Sequence, residues 1–507
     1  MKLSTLLQGM GAIQASRHDD LDINGISYDS RRVSPGFLFV AIPGFHVDGH
    51  SFIADAVARG AVAVVVQEDR KDAIGSAVAA APTPPAVIGV PDTRRALAEL
   101  AAAFYGYPAR KLRVIGVTGT DGKTTTCYLI SNVLEKAGYR TGLIGTVDFK
   151  VGDEVWYNDA RQTTPESLEV QELLSRMVDA KVDYAIVEST SHGLALERLT
   201  GCEYDVAVFT NLSSDHLDFH QTLEQYLRDK GRLFEMLSEA CNKGIDKVSI
   251  LNADDAASDY LRRLSPLKVI DYSVERTASV MARDIRLSGS GTSFTAVTPM
   301  GNTRLEMKLG GIFSVYNSLA AIAVAVSQKV SLAVTKEALE SMGGVPGRME
   351  QIDLGQPFTV IVDYAHTPAA LEKMLGILRP LAKGKMLVVF GCAGERDKAR
   401  RPGMGKVAGR LADFSVVTNE DPRSEDPVAI IDEIEVGLKS AGRQANTDYA
   451  RVVDRRDAIR YAFEKASPGD LVLLAGKGHE KCIIAGNERV PWDDREVARE
   501  TLRELGF

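Results

Sequence analysis

The sequence predicts an α/β fold in three domains: a doubly wound central sheet of phosphate-loop type, an α/β domain before it and a Rossmann-like domain after it. Three observations carry this prediction. A chain of 507 residues is too long to fold around one core. Short apolar runs bounded by turn residues alternate with helical patterns, as they do in parallel sheets. Those runs end repeatedly in polar clusters, and in a doubly wound sheet ligands bind beyond the carboxyl ends of the strands. The boundaries are expected at 1–108, 109–343 and 344–507.

The rest of the chain is organised around Val114 to Thr126. Val114 to Val117 reads as a buried parallel strand, and Cys127-Tyr128-Leu129-Ile130 has helical periodicity. Between them lies Gly119-Thr120-Asp121-Gly122-Lys123-Thr124-Thr125. Two glycines three apart let backbone N–H groups close on phosphate oxygens, and the helix N-terminus adds partial positive charge. Lys123 is placed to reach the terminal phosphates, and the Thr124 hydroxyl to face a Mg²⁺ ion. Val117 stands where the usual motif has its first glycine. A glycine-rich turn with a solvated lysine is the bland alternative, but the strand and the helix in context favour nucleoside triphosphate binding.

Composition excludes several classes. Hydrophobic residues make up 45% and charged residues 25%, ordinary for a globular protein. A net charge of −8 without a long basic run argues against a nucleic-acid partner. No segment reaches membrane-span length. Leu3, Leu6, Leu7 and Met10 form a helical stripe too interrupted for a signal-peptide core, although Ala12-Ile13-Gln14-Ala15 faintly resembles a cleavage site. Five scattered cysteines form no disulfide or zinc framework. A cytoplasmic monomer is expected.

In the first domain, Phe37 to Ile42 and Ala61 to Val66 read as strands, and Ala96 to Ala103 as a helix broken by Tyr105-Gly106-Tyr107-Pro108. Asp29-Ser30-Arg31 is either a polar turn or a loop offering serine and arginine to phosphate or sugar oxygens. In the central domain, three strands end at Glu188-Ser189-Thr190-Ser191-His192, at Ser213-Ser214-Asp215-His216 and at Asn252-Ala253-Asp254-Asp255. Glu188 and His216 are therefore candidate Mg²⁺ ligands, because a nucleotide site supplies only one or two protein ligands to the metal.

Thr222-Leu223-Glu224-Gln225 has capping-box form and should open a helix with the apolar stripe Leu223, Tyr226, Leu227, Leu233, Phe234 and Leu237. Lys230 falls on that stripe, where a bare buried ammonium is costly. Three outcomes fit: snorkelling to solvent, the commonest from pattern alone; a lowered pKa; or modification or pairing with a ligand. The third domain repeats the strand-end pattern at Asp363-Tyr364-Ala365-His366, at Gly391 to Asp397, at Glu420-Asp421-Pro422-Arg423 and at Gly476-Lys477-Gly478-His479-Glu480. Arg396, Arg423 and Glu480 describe either a crevice holding an amino acid by carboxylate and amine, or ordinary polar loops of a second nucleotide-type fold.

These motifs, together with Thr163-Thr164-Pro165, Asp215-His216-Leu217-Asp218, Asn317 and Gly347-Arg348-Met349-Glu350, resemble the Mur ligases over essentially the whole chain. These are ATP-dependent amide ligases that build the peptide stem of cell-wall precursors. Within the family, the chain is similar to the ligases that add the third residue, joining a diamino acid to UDP-N-acetylmuramoyl-L-alanyl-D-glutamate.

The resemblance implies a UDP-binding first domain with Ser30 among its contacts, and a muramoyl-dipeptide site at Thr163, Thr164, Thr190 and Arg198. It implies ATP contacts at Gly119, Thr120, Asp121, Gly122, Lys123, Thr124, Thr125, Asn317, Arg348 and Asp363, with Asp121 standing where an asparagine is common. Lys230 matches the family's N-carbamylated lysine, which as an anion would ligate or support Mg²⁺ beside Thr124, Glu188 and His216. Lys123, Lys230, His216 and Glu188 are the implied catalytic set.

The amino acid would be held by Arg396, Glu420, Asp421, Pro422, Arg423, Gly476 and Glu480. The diaminopimelate-adding members carry Asp-Asn-Pro-Arg, whose arginine pairs with the distal carboxylate. Here the arginine is kept and the asparagine is Asp421. A bidentate arginine–carboxylate contact favours meso-diaminopimelate. Asp421 pulls toward a second ammonium, leaving L-lysine or L-ornithine as the alternative. A non-enzymatic phosphate-loop switch is the alternative of another class, and it would need neither Lys230 nor an amino-acid crevice.

Overall fold

The computed structural model describes residues 1–10, 21–44, 47–71, 83–158, 162–213, 217–265, 267–288 and 291–507. Ala12 to Ala15 lie outside them. The chain forms two compact units, one of residues 1–281, 297–301 and 316–335, the other of residues 282–296, 302–315 and 336–507.

The first unit contains two sheets. The smaller is wholly parallel, in the order β1 (Gly25–Ser27), β2 (Phe37–Val40), β3 (Ala61–Gln67) and β4 (Ala86–Val90). Alternate residues enter different cores: Leu38 and Val40 pack with Ala63 and Val65, while Phe39 packs with Val64 and Val66. Such strands must be apolar on both faces, and they read as unbroken apolar runs. Asp92 caps the helix Thr93–Phe104 by accepting from the Arg94 and Arg95 N–H groups.

The larger sheet centres on β5 (Arg113–Thr118). Going one way from it come β9 (Tyr184–Glu188), β6 (Thr141–Ile144), β7 (Asp148–Val151) and β8 (Glu154–Tyr157). Going the other way come β10 (Val206–Phe209), β11 (Val248–Asn252) and β12 (Lys268–Ser273). From β12 to β6 the neighbours are parallel, and β7 and β8 continue antiparallel. The phosphate-loop strand is thus central, with β9 and β10 beside it, so the loops after β5, β9 and β10 meet at one edge. Strands β13 (Val280–Ser288), β14 (Gly291–Thr298) and β15 (Gly301–Met307) are divided between the two units.

Thr222 caps the helix Leu223–Glu239 through the Gln225 N–H, as the sequence predicts. The other half of the box is absent: Gln225 Nε2 turns to Asp229 Oδ1, 3.1 Å away. Leu223 departs from the predicted stripe and is exposed, because the first helical position lies ahead of the buried turns.

The second unit holds a sheet in the order β16 (Glu350–Ile352), β17 (Thr359–Asp363), β21 (Leu471–Ala475), β18 (Met386–Phe390), β19 (Phe414–Val417) and β20 (Tyr449–Arg451). Only the edge strand β16 is antiparallel. Met386, Val388 and Phe390 join one core with the helices Pro368–Leu378, Arg400–Leu411 and Pro427–Ser440. Leu387 and Val389 join the other, with Arg455–Lys465 and Asp494–Glu504. A hairpin of β22 (Cys482–Ala485) and β23 (Glu488–Pro491) completes the unit.

Candidate functional site

The loop after β5 has the backbone that phosphate binding requires. Gly119 has φ +146°, and a Cβ there would stand 1.9 Å from Thr210 Oγ1. Gly122 has φ +81°, and its Cβ would stand 2.3 Å from Asn317 Oδ1. Both positions therefore need glycine for conformation and for close approach. Asn211 and Thr210, just past β10, pin the loop from the other side. The Asp121 carbonyl accepts from Thr210 Oγ1 at 2.6 Å and from Asn211 Nδ2 at 3.1 Å, and its N–H donates to Asn211 Oδ1. Asp121 is thus anchored through its main chain. Lys123 Nζ donates to the Gly119 and Thr120 carbonyls at 3.1 and 2.8 Å, and Thr125 is half-buried on the following helix.

Glu188, at the end of β9, is buried and gathers three other elements. The Thr124 hydroxyl donates to both its carboxylate oxygens, at 3.0 and 3.1 Å. The Thr146 N–H donates to Oε2 at 3.0 Å, and the Thr146 hydroxyl donates to Thr163 Oγ1 at 3.1 Å. Thr164 donates to the Glu188 carbonyl and lies 2.8 Å from Thr190 Oγ1, which accepts from the Gly193 N–H. Arg198 Nη1 donates to the Thr164 carbonyl, while Nη2 pairs with Glu166 at 2.7 Å. The four residues expected at the dipeptide and the phosphate loop therefore form one connected patch.

Lys230 does not snorkel, contrary to what its pattern alone favoured. It is 1% exposed; its Nζ donates to the Gly119 carbonyl at 2.6 Å and sits 4.0 Å from the Tyr226 ring centroid. The loop carbonyl and the aromatic face supply what solvent would have. His216 lies outside the described residues. Among the described residues no group of three or more histidine, cysteine or acidic side chains could hold a metal by itself. The Thr124 hydroxyl and Glu188 carboxylate are hard oxygen donors side by side, a set that fits a Mg²⁺ also bound by phosphate oxygens.

In the small sheet's domain, Ser30 is buried at the start of a 3₁₀ turn capped by Asp29. Arg31 is exposed, and its guanidinium holds Asp29 in a bidentate pair at 2.9 and 2.8 Å. That hydrogen bonding lowers the Asp29 pKa.

In the second unit, Asp363 closes β17, buried, and accepts from the Met349 and Ala365 N–H groups, each at 2.9 Å. Burial raises its pKa, and the nearby Arg348 cation opposes the rise. The Arg348 guanidinium lies 4.8 Å from the Tyr364 ring centroid. Beside them, Lys477 is fully buried and donates to Asp421 Oδ1 at 2.7 Å and to Glu480 Oε2 at 2.5 Å. Burial disfavours the Lys477 ammonium, but the Glu480 and Asp421 carboxylates outweigh it and raise the pKa. Asp421 Oδ1 also accepts from the Ile484 N–H, and Tyr364 donates to Glu480 at 3.3 Å.

Glu420 is buried with no hydrogen-bond partner for Oε2 among the described residues, and burial pushes its pKa up to about 7. Gly476 faces it, where a Cβ would meet Oε2 at 2.7 Å. Pro422 is buried, and Arg423 adopts φ +53° with its guanidinium 3.9 Å from Glu395 Oε2. Its Nε has no hydrogen-bond partner among the described residues, and Arg396 is exposed.

Sequence reading missed Thr146, Asn211, Glu166 and the role of Lys477. Asn211 was hidden inside a run read as strand, and Lys477 inside a motif quoted for its neighbours. Thr146 and Glu166 carried no local signal.

Three family descriptions match in order: Mur ligase family, catalytic domain, over residues 22–105; Mur ligase middle domain, over 117–325; and Mur ligase, glutamate ligase domain, over 347–478. The chain is 50% identical over 494 residues to a UDP-N-acetylmuramyl-tripeptide synthetase of Roseiflexus sp. (strain RS-1), covering 96% of each. It is 46% identical over 504 residues to a UDP-N-acetylmuramoyl-L-alanyl-D-glutamate--2,6-diaminopimelate ligase of Geobacillus thermodenitrificans (strain NG80-2), covering 99% of this chain and 100% of that one. A solved structure of a ligase of that second name superposes with a TM-score of 0.65 at 31% identity, covering 96% of each chain. With all three domain types in order and relatives of this identity over its length, the chain belongs to the Mur ligase family, whose members are ATP-dependent amide-forming ligases.

Proposed function

We propose that the protein adds meso-diaminopimelate to the D-glutamate γ-carboxylate of UDP-N-acetylmuramoyl-L-Ala-D-Glu, at the expense of ATP, in peptidoglycan precursor synthesis. The carrying observation is the hydrogen-bond chain Thr124–Glu188–Thr146–Thr163, which joins the phosphate loop directly to the residues read as the dipeptide site. A phosphoryl donor and a carboxylate acceptor held at the two ends of that chain are neighbours. On this reading residues 1–108 bind the UDP-sugar with Ser30, residues 109–343 the ATP, and residues 344–507 the amino acid.

The γ-carboxylate takes the ATP γ-phosphoryl group, giving an acyl phosphate and ADP. The incoming amine attacks that carbonyl, inorganic phosphate leaves, and an amide remains. Gly119 to Thr125 cradle the phosphates, Lys123 neutralises charge on the transferring group, and Thr163, Thr164, Thr190 and Arg198 orient the acceptor. Thr124 and Glu188, with His216 and Lys230 as its carbamate, would hold Mg²⁺, which screens charge on the phosphoryl oxygens when bound. Asn317, Arg348 and Asp363 complete the ATP contacts. Arg396, Glu420, Asp421, Pro422, Arg423, Gly476 and Glu480 hold the amino acid.

The choice of diaminopimelate is supported by the state of Asp421. Its Oδ1 is taken up by Lys477 and the Ile484 N–H, so its charge is balanced inside the protein. Arg423, whose guanidinium lies 3.9 Å from the exposed Glu395 carboxylate, would then exchange that surface pair for a distal carboxylate of the substrate. The reading also takes the enzyme as a cytoplasmic monomer; no helix among the described residues is long and apolar enough to cross a membrane. The test is ADP release in Mg-ATP, expected only when the UDP-linked dipeptide and an amine are both present. Equal release without either substrate would overturn the ligase reading.

A further inference from the structure

His220 is buried and uses both ring nitrogens on elements that carry proposed site residues. Nδ1 lies 2.7 Å from Asp229 Oδ2, and Nε2 lies 2.9 Å from Ser191 Oγ. The ring is flanked by Tyr226 and His192, at centroid distances of 4.8 and 5.1 Å. A carboxylate can only accept, so Nδ1 carries a proton; in the neutral ring Nε2 then accepts from the Ser191 hydroxyl. The Asp229 carboxylate is further held by Gln225 Nε2 at 3.1 Å. The chain has the order of a nucleophilic triad, but Ser191 is 2% exposed, which suits positioning and not attack.

What the chain connects gives it meaning. Ser191 follows Thr190 and opens the helix Ser191–Ala195, while Asp229 immediately precedes Lys230 on the helix Leu223–Glu239. These segments touch the site at different points: Thr190 at Thr164, and Lys230 at the Gly119 carbonyl. One imidazole therefore fixes the spacing between the loop that orients the acceptor and the lysine under the phosphate loop. A groups-in-contact shift of about 1 Å at either end is enough to cost rate.

We propose that His220 is a positioning residue whose two hydrogen bonds serve separate functions: the Ser191 arm sets the dipeptide loop and the Asp229 arm sets Lys230. The proposal rests on the functional reading of Thr190 and Lys230 above. It is tested by exchanging one arm at a time in the full-length enzyme. His220→Asn keeps a donor near the Nδ1 position and loses Ser191; His220→Gln keeps a group near Nε2 and loses Asp229. Ser191→Ala and Asp229→Ala cut the same arms without touching the ring.

The expected result is a split. His220→Asn and Ser191→Ala raise KM for the UDP-linked dipeptide about tenfold with kcat within about threefold of wild type, the size seen when supporting hydrogen bonds are removed. His220→Gln and Asp229→Ala lower kcat about tenfold or more and leave that KM nearly unchanged. The proposal is overturned if all four variants shift kcat and KM in one proportion that follows their loss of thermal stability, or if all four match wild type. Wild-type turnover separates the two failures. With turnover intact, unsplit variants remove the positioning role alone; without it, the functional reading falls and takes the positioning role with it.

Discussion

The Lys477 ammonium lies 2.7 Å from Asp421 Oδ1 with both side chains buried, and that pair changes how the amino-acid crevice is read. An aspartate facing substrate would favour a second ammonium there. An aspartate already paired with lysine and with the Ile484 N–H contributes little free charge. Asp421→Asn should therefore keep the preference among amino acids, with a shift in their kcat/KM ratio of less than about threefold. Asp421→Ala should cost about 1–3 kcal/mol of stability, because the buried Lys477 and the Ile484 N–H each lose a hydrogen-bond acceptor while Glu480 still balances the lysine charge. Competition kinetics and denaturant unfolding check the two parts.

Glu188 joins the Thr124 hydroxyl, the Thr146 N–H and, through Thr146, Thr163. Glu188→Gln keeps the shape and loses the charge. We expect kcat to fall about 10²–10³-fold, the size of loss when one preorganised electrostatic contact is removed. Thermal stability should change far less, and a parallel collapse of both would show that Glu188 is mainly a structural anchor.

Gly122 has φ +81° with Asn317 Oδ1 where a Cβ would stand, 2.3 Å away. Gly122→Ala should weaken ATP binding at least tenfold and cost about 1–3 kcal/mol through the strained backbone. Pairing it with Asn317→Ala relieves the clash but neither the strained φ nor the lost ATP contact, so a partial rescue of thermal stability without rescue of nucleotide affinity is the expected sign.

Burial lifts the Glu420 carboxyl to about 7 from 4.5. The folded state thus holds a proton that the unfolded chain releases between these values. The stability this contributes is fully present below pH 4.5 and is lost as pH rises to about 7. Glu420→Gln removes the titration. Relative to that variant, wild type should lose stability with rising pH across this window, at no more than about 1.4 kcal/mol per pH unit. Denaturant midpoints at pH 5, 6 and 7 check the sign.

The sequence made the phosphate loop, its strand and its helix legible because they are contiguous: glycine spacing and apolar periodicity act over a few residues. The strand ends were legible for the same reason, and a doubly wound sheet brings them together. Lys230 was legible as an anomaly, but its burial depends on the Gly119 carbonyl, 111 positions away in the chain. Thr146 and Glu166 were silent, since a threonine or a glutamate in a loop says nothing until its partner is known. The pairing of Arg31 with Asp29 was not legible either, since a turn of polar residues does not say which of them bond each other.

The central claim, addition of diaminopimelate directed by Arg423, is tested most directly by ADP release from purified protein. The assay uses Mg-ATP and UDP-N-acetylmuramoyl-L-Ala-D-Glu with meso-diaminopimelate, L-lysine or L-ornithine as the amine. The account predicts strong turnover with diaminopimelate, lost in Arg423→Ala. Preference for lysine or ornithine, or an Arg423→Ala enzyme that still selects diaminopimelate, would contradict it.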